Sequence, residues 1–166
     1  MAKKNKFETN AIHVGNKPDS STGSVSPPIN LTSTFAQDGV GKNKGFDYSR
    51  GTNPTRERLE KNIASLEGGY DAIAFASGMA ATTALFQSLK QGDQVIISRN
   101  VYGGTYRMAT QILSNHGLKF DFVNTTNIQN IKDAIKPETK WIFIETPTNP
   151  MLEITDIKAV SQICQD

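Results

Sequence analysis

"AIAFASGMAATTAL", residues 72–85, joins an apolar run to a helix-forming run at the pair Ser77-Gly78. Five successive apolar residues before the serine suit a short buried strand. Alanine and leucine favour helix, and serine is preferred at the position just before a helix. The stretch therefore predicts a strand at residues 72–76, followed at once by a helix.

Outward from this stretch, apolar runs and helix-forming runs alternate. Further strands are predicted at three apolar runs, namely VIIS (95–98), FDFV (120–123) and WIFIE (141–145). Helices are predicted between the runs, at about 78–90, 104–115 and 127–135, and in the final segment TDIKAVSQICQD. This alternation predicts an α/β fold with a mostly parallel sheet flanked by helices.

The first third of the chain has a different composition. Residues 1–55 are rich in Ser, Thr, Gly and Pro, and the pair Pro27-Pro28 excludes regular helix around it. So long a segment without regular structure is either disordered or laid across another surface, and its aromatic residues favour a surface. We predict an extended arm over residues 1–55 that makes inter-subunit contacts, and a second domain over residues 56–166. A helix should follow Pro54 and end at Gly68-Gly69.

Composition excludes several classes of partner. Among 166 residues, 18 basic and 16 acidic side chains give a net charge of +2. This balance favours neither nucleic acid nor an anionic membrane. No apolar run approaches the roughly 20 residues of a membrane span, and the start MAKKNKFETN lacks the apolar stretch of a secretory signal. A single cysteine excludes an internal disulfide and fits the cytoplasm.

In parallel sheets ligands bind beyond the carboxyl ends of the strands, which directs attention to the junctions. The first junction holds Ser77, Gly78 and Met79 at a predicted helix start. Unpaired backbone N–H groups there suit a phosphate, while a plain helix cap without a ligand is the alternative. The motifs of nucleoside-triphosphate and dinucleotide cradles are absent from the sequence.

Three later positions could also contact a ligand. Tyr102, before two glycines, could stack on a planar ring, and Arg107 could bind an anion; a turn tyrosine and a surface arginine are the alternatives. Asn149, between Thr148 and Pro150, could present a rigid amide or simply form a turn.

Arg50 is a candidate anion clamp with Tyr48 nearby, or else a solvated loop arginine. His13 and His116 lie far apart and have no metal-ligand spacing around them, so we expect no metal site.

Four motifs in order resemble the pyridoxal-phosphate enzymes of cysteine and methionine metabolism. They are FDYSRGTNPTR, FASGMAAT, DQVIISRNVYGGTYR and KPETKWIFIETPTNP. The resemblance covers nearly the whole chain and implies the large domain of fold-type I enzymes of this cofactor. It implies that the cofactor pyridoxal 5'-phosphate is bound by Tyr48, Arg50, Ser77, Gly78, Met79, Tyr102 and Asn149, and the substrate by Arg50, Tyr102 and Arg107.

The resemblance also implies an activity and an assembly. It is strongest to carbon–sulfur lyases of transsulfuration, which cleave cystathionine to cysteine, 2-oxobutyrate and ammonia. Cystathionine synthases and methionine lyases are alternatives within the family, and a non-catalytic fragment that only binds subunits is an alternative of another class. The family implies a homotetramer built as a dimer of dimers, with Tyr48 and Arg50 reaching the phosphate of a neighbouring subunit.

The resemblance places two essential groups after the final helix of this sequence. These are the lysine that forms the Schiff base with the cofactor and the aspartate that pairs with the ring nitrogen. The pair Thr139-Lys140 matches a non-catalytic position and lies at the wrong end of its strand. We therefore expect an incomplete cofactor-binding domain, with no catalytic residue in these 166 residues and no activity alone.

Overall fold

The computed structural model of the protein describes residues 6–165. Residues 1–5, at the start of the predicted arm, and residue 166, at the end of the predicted second domain, lie outside the described residues. The chain divides into two compact units between Phe75 and Ala76. The predicted boundary at residue 55 therefore differs from the observed division, because the helix after Pro54 groups with the arm. The inter-subunit role of the arm stays a prediction.

The first unit contains helices α1, Phe7–His13, and α2, Pro54–Glu67. Helix α1 interrupts the arm that was predicted to be wholly extended. Seven residues are too few for a stable isolated helix, so tertiary contacts must support it. The Asn62 side-chain amide of α2 supplies them, because it donates to three carbonyl oxygens in or just after α1, those of Asn10 (3.1 Å), Ala11 (3.1 Å) and Val14 (2.9 Å).

Helix α2 begins and ends as the sequence predicts. The Asn53 side chain accepts a hydrogen bond from the Thr55 N–H (2.8 Å), and Pro54 occupies the first helical position. Gly68 ends the helix in the left-handed conformation, with φ of 65°, where a side chain would be strained.

Residues 72–76 do not form the predicted fourth strand. They form no regular secondary structure in the described part of the chain, and Ile73 is 74% exposed. The N–H of Ala74 donates to the Glu60 carboxylate (2.9 Å) rather than to a neighbouring strand. Without a sheet partner, the apolar character of this run is insufficient to define a strand.

The second unit is built on a three-stranded parallel sheet of β1, Gln94–Ser98, β2, Lys119–Val123, and β3, Thr139–Phe143, in the order β2-β1-β3. All five residues of the central strand β1 are buried. The α/β class and the parallel pairing are confirmed, while β3 ends two residues earlier than predicted.

The register between β1 and β3 contains one irregularity. Gln94 lies opposite Thr139 and Val95 lies opposite Trp141, so Lys140 has no partner on β1. This extra residue is a β-bulge. Lys140 is exposed at the amino end of β3.

Helices α3, Gly78–Phe86, α4, Gly103–Arg107, α5, Ile128–Ala134, and α6, Ile157–Ile163, accompany the sheet. The predicted helix at 104–115 is regular only at its start; a wider π-type turn over Met108–Ile112 and a tighter one over Leu113–His116 follow. Hydroxyls of Thr110 and Ser114 donate to carbonyls four residues back, which disturbs regular helix there. No helix within residues 6–165 is long and apolar enough to span a bilayer.

Phe86, at the end of α3, is the centre of the core of the second unit. It is fully buried, and its ring centroid lies 5.8 Å from that of Trp141 and 5.4 Å from that of Phe143. Such tilted aromatic contacts combine large apolar burial with favourable ring geometry. They fix α3, and therefore the junction at Ser77, against the sheet.

Gln94 holds the amino ends of the strands together. Its buried side-chain amide donates to the Asp121 carboxylate of β2 (2.5 Å) and to the Ala134 carbonyl (3.3 Å). Its oxygen accepts a hydrogen bond from the Thr139 hydroxyl of β3. A buried amide is costly unless all its groups are paired, and here three partners satisfy it.

Candidate functional site

The start of α3 has the cap geometry that is common to both interpretations, an anion site and a plain helix cap. The Ser77 hydroxyl accepts a hydrogen bond from the Ala80 N–H (3.1 Å), as a helix cap does. The Ser77 hydroxyl proton remains available to a further acceptor. The N–H groups of Gly78 and Met79 belong to the first turn, where the helix offers them no partner. The junction therefore presents several donors in one direction.

Gly78 keeps the space above this helix start open. A Cβ atom placed on Gly78 would meet no other atom within 4 Å. The absence of a side chain here is therefore not required by packing within the protein. It leaves room for a group to approach the backbone donors closely.

Tyr102 and Met79 are brought together by Gly104. A Cβ on Gly104 would lie 2.5 Å from Cε1 of Tyr102 and 2.9 Å from the sulfur of Met79. Tyr102 is 59% exposed, so its side chain is accessible to a ligand. The lack of a side chain at Gly104 therefore leaves the space that Tyr102 and Met79 occupy.

Arg107 and Asn149 line the same groove, of about 400 Å³, together with Arg99 and Tyr106. The ring centroid of Tyr106 lies 5.1 Å from that of Phe122 on β2, which anchors α4 to the sheet. Arg107 and Asn149 are exposed. The structure thus unites two of the predicted positions in one cavity that can accept a small anion.

The loop that presents Asn149 is closed by Glu153. The N–H of Thr148 donates to the Glu153 carbonyl (3.1 Å), and the N–H of Glu153 donates to the Thr148 hydroxyl (3.0 Å). Arg99 donates two guanidinium N–H groups to the Glu153 carboxylate. These hydrogen bonds lower the pKa of Glu153 and raise the pKa of Arg99.

The Arg99–Glu153 ion pair predicts a pH-dependent contribution to stability. Because the pKa of Glu153 is lowered in the folded protein, the contribution is present above the ordinary carboxyl pKa of 4.5 and is lost as pH falls through the lowered value. We expect Glu153→Gln to lower Tm at pH 7, and the difference from the parent protein to shrink at about pH 3. Thermal unfolding of the intact protein at both pH values measures this.

A matched control is the exposed ion pair of Lys44 and Asp38 in the first unit, whose side chains are 74% and 70% exposed. Exposed pairs contribute little to stability, so Asp38→Asn should leave Tm nearly unchanged at both pH values. A Tm difference for Glu153→Gln that is the same at pH 3 and pH 7 would contradict the prediction.

Tyr48 and Arg50 lie together in the first unit. The Arg50 guanidinium carbon is 5.0 Å from the centroid of the Tyr48 ring, a cation–π arrangement. The backbone of Tyr48 pairs with that of Thr34 in an isolated antiparallel bridge. Both side chains are exposed, and their contact with a cofactor across subunits stays a prediction.

Glu145 is a residue of the site that the sequence interpretation missed. The N–H of Tyr102 donates to the Glu145 carboxylate (2.8 Å). Glu145 was assigned to the end of the strand 141–145, whereas β3 ends at Phe143 and leaves Glu145 in the following loop. An acidic residue just beyond the carboxyl end of a strand was the signal that could have found it.

Three lysines lie near the amino ends of the strands, away from this edge of the sheet. Lys119 and Lys140 belong to the amino ends of β2 and β3, and Lys136 donates to Asp121 (2.8 Å) just before β3. The expectation that Lys140 lies at the wrong end of its strand is confirmed. Within residues 6–165, no three His, Cys, Asp or Glu side chains are grouped as metal ligands.

Backbone donors beside an exposed aromatic ring, near the carboxyl ends of parallel strands, are features of an α/β domain suited to a phosphorylated cofactor. Residues 8–166 match the family described as Cys/Met metabolism PLP-dependent enzyme, and the chain belongs to that family. The cofactor of this family is pyridoxal phosphate, confirming the sequence-based prediction. The free donors at α3, the open space at Gly78 and the exposed Tyr102 ring fit its phosphate and its planar ring.

Relatives share much of this sequence. The cystathionine gamma-lyase of Homo sapiens is 49% identical over 158 residues, which are 95% of this chain and 39% of that protein. The cystathionine beta-lyase MetC of Bacillus subtilis is 48% identical over 160 residues, 96% of this chain and 41% of that protein. The chain spans half the length or less of such relatives.

Two solved structures resemble the fold closely. The cystathionine gamma-lyase from Lactobacillus plantarum complexed with L-serine is 45% identical, with a TM-score of 0.90 over 97% of this chain and 42% of that chain. The metB protein from Corynebacterium glutamicum is 44% identical, with a TM-score of 0.93 and the same coverages. The expected similarity to large domains of pyridoxal-phosphate enzymes is thereby confirmed.

Proposed function

We propose that this chain forms the phosphate- and ring-binding part of a carbon–sulfur lyase of transsulfuration that cleaves cystathionine to cysteine, 2-oxobutyrate and ammonia. The observation that carries the proposal is the placement of the Tyr102 ring beside Met79, next to the donors that start α3. Relatives with 47–49% identity are named for a synthase and for lyases of cystathionine, which supports a sulfur amino acid as the substrate class.

Each residue of the site has a role in this proposal. Ser77, Gly78 and Met79 bind the phosphate through their N–H groups and the serine hydroxyl, which fixes one end of the cofactor. Tyr102 covers one face of the ring and limits its tilt. Asn149 orients the opposite end of the cofactor and the substrate by hydrogen bonding.

Arg107 binds a substrate carboxylate, since it lines the groove that contains Asn149 and since Arg99, the other guanidinium there, is engaged by Glu153. Tyr48 and Arg50 contact the phosphate of a neighbouring subunit in a homotetramer. Pyridoxal phosphate, when bound, supplies the electron sink that stabilises negative charge at the substrate α-carbon.

The identity of the keto acid product tests the proposed reaction. Cleavage on the γ-carbon side of the sulfur releases 2-oxobutyrate with cysteine, whereas cleavage on the β-carbon side releases pyruvate with homocysteine. We expect 2-oxobutyrate when the intact protein, meaning a full-length form that includes the Schiff-base lysine, receives cystathionine and pyridoxal phosphate, as measured by chromatography of the keto acids. Pyruvate as the main product would assign a β-lyase instead, and formation of cystathionine from an activated homoserine and cysteine would assign a synthase.

A non-catalytic subunit-binding role is the second candidate. The exposed apolar side chains of the arm favour it, since Leu31 is 94% exposed and Ile29 is 74% exposed. Retention of a full-length homologue on tagged residues 1–166, with no turnover from the tagged chain, would support this role. We place the protein in the cytoplasm under both candidate functions, because its sequence contains a single cysteine.

A further inference from the structure

Glu145 joins two loops that are far apart in sequence. Its carboxylate accepts a hydrogen bond from the backbone N–H of Tyr102, 43 positions earlier, at 2.8 Å. The loop after β3 is thereby connected to the loop after β1. No side chain of the β1–α4 loop caps the start of α4, so Glu145 supplies an acceptor that the local sequence lacks.

Without this hydrogen bond, the backbone that follows Tyr102 could adopt many conformations. Tyr102 is followed directly by Gly103 and Gly104, and glycine has the widest range of backbone conformations. The Tyr102 ring is more than half exposed, so packing alone constrains it weakly. A charge-assisted hydrogen bond to the Tyr102 backbone fixes the point from which the ring extends.

Glu145 is itself fixed by a chain of buried hydroxyls. Its N–H donates to the hydroxyl of Ser98 (3.1 Å), which bonds to the hydroxyl of Thr125 (3.1 Å), which in turn bonds to that of Thr155 (2.6 Å). Ser98, Thr125 and Thr155 are each at most 4% exposed. The backbone of Glu145 therefore has a rigid attachment at the carboxyl ends of the strands, and its carboxylate acts from a defined position.

We infer that Glu145 is a positioning residue that holds the Tyr102 ring against the cofactor by binding the Tyr102 backbone, without contacting the cofactor itself. This inference rests on the proposed function, because it assumes that the Tyr102 ring faces pyridoxal phosphate. It gives the Glu145 carboxylate a role, since no ion pair among the described residues involves it and the Tyr102 N–H donates to it.

The test is a double-mutant cycle in the intact protein, with pyridoxine 5'-phosphate as the probe. This compound has the ring and the phosphate but no aldehyde, so its affinity reports non-covalent binding alone. We expect Glu145→Ala to weaken its binding about tenfold, measured by quenching of protein fluorescence. Glu145→Gln keeps an acceptor of the same size and should lose about threefold or less.

Tyr102→Ala supplies the second arm of the cycle. If Glu145 acts through Tyr102, then Glu145→Ala should cause no further loss of affinity in the Tyr102→Ala background. Visible circular dichroism of the bound cofactor should change in Glu145→Ala and return towards the parent signal in Glu145→Gln. A residue needed only for folding would not give this pattern.

The outcomes separate the inference from the proposed function. If Tyr102→Ala leaves affinity unchanged, the proposed stacking is wrong. If Tyr102→Ala weakens binding but Glu145→Ala does not, or if the two losses add, the inference is wrong. Should Glu145→Ala fail to fold, Glu145→Leu replaces it as a variant of similar size without an acceptor, and failure of both to fold while Glu145→Gln folds would overturn the inference.

Discussion

A polypeptide of residues 1–166, given pyridoxal phosphate and cystathionine, is expected to release no 2-oxobutyrate above the rate of the free cofactor. The reaction requires an amine that bonds to the cofactor and moves the α-proton of the substrate. The lysines of β2 and β3 lie at the amino ends of their strands, whereas the predicted site is at the carboxyl ends. No described lysine of the sheet can therefore supply this chemistry at the site.

The measurement is a coupled assay for 2-oxobutyrate, with far-ultraviolet circular dichroism to verify that the polypeptide is folded. The matched positive control is a full-length family member under the same conditions. Lys140→Ala in the polypeptide should change nothing. Turnover by the parent polypeptide that disappears in Lys140→Ala would show that the assignment of this lysine is wrong.

Gly104→Ala is expected to weaken the binding of pyridoxine 5'-phosphate by about tenfold or more. The new Cβ would lie 2.5 Å from Cε1 of Tyr102 and 2.9 Å from the sulfur of Met79, closer than real atoms approach. Overpacking of this kind typically costs about 1–3 kcal/mol, and it can be relieved by moving the exposed ring. Displacement of Tyr102 removes its contact with the cofactor, and displacement of Met79 disturbs one of the phosphate donors.

Gly103→Ala is the matched control for this substitution. Its Cβ would lie 3.2 Å from the end of the Arg107 guanidinium, a flexible group that can shift at little cost. Neither glycine has a positive φ, so the backbone accepts alanine at both positions. Equal affinities for Gly104→Ala and the parent protein, measured by titration of the intact protein, would contradict the assigned role of Tyr102.

Local signals in the sequence were sufficient for the elements that define the site. Asn53 and Gly68 mark both ends of α2, and Ser77 marks the start of α3, because capping depends on residues close in sequence. Short apolar runs identified β1 and β3, and β2 was identified although its run, FDFV, contains Asp121. Tyr102 could be named because it follows β1, and Gly78 because it follows the apolar run 72–76, although that run forms no strand.

Features that depend on distant partners were missed. Helix α1 exists because Asn62 binds the carbonyls at its end, and nothing near residue 10 in the sequence encodes this contact. Residues 72–76 have the composition of a strand but pair with no strand in the described structure. The contact of Glu145 with Tyr102 arises only when the ends of β1 and β3 are adjacent.

The bulge at Lys140 determines which side of the sheet each of its two neighbours in β3, Thr139 and Trp141, faces. In an unbroken strand, residues two positions apart face the same side of the sheet. Here Thr139 pairs with Gln94 and Trp141 with Val95, and the skipped residue reverses the parity between them. Thr139, which donates to Gln94, and Trp141, which contacts Phe86, thus face opposite sides of the sheet although they are two positions apart. Deletion of Lys140 would make Thr139 and Trp141 adjacent, and adjacent residues of a regular strand face opposite sides, so both side chains would keep their sides while the bulge would be lost.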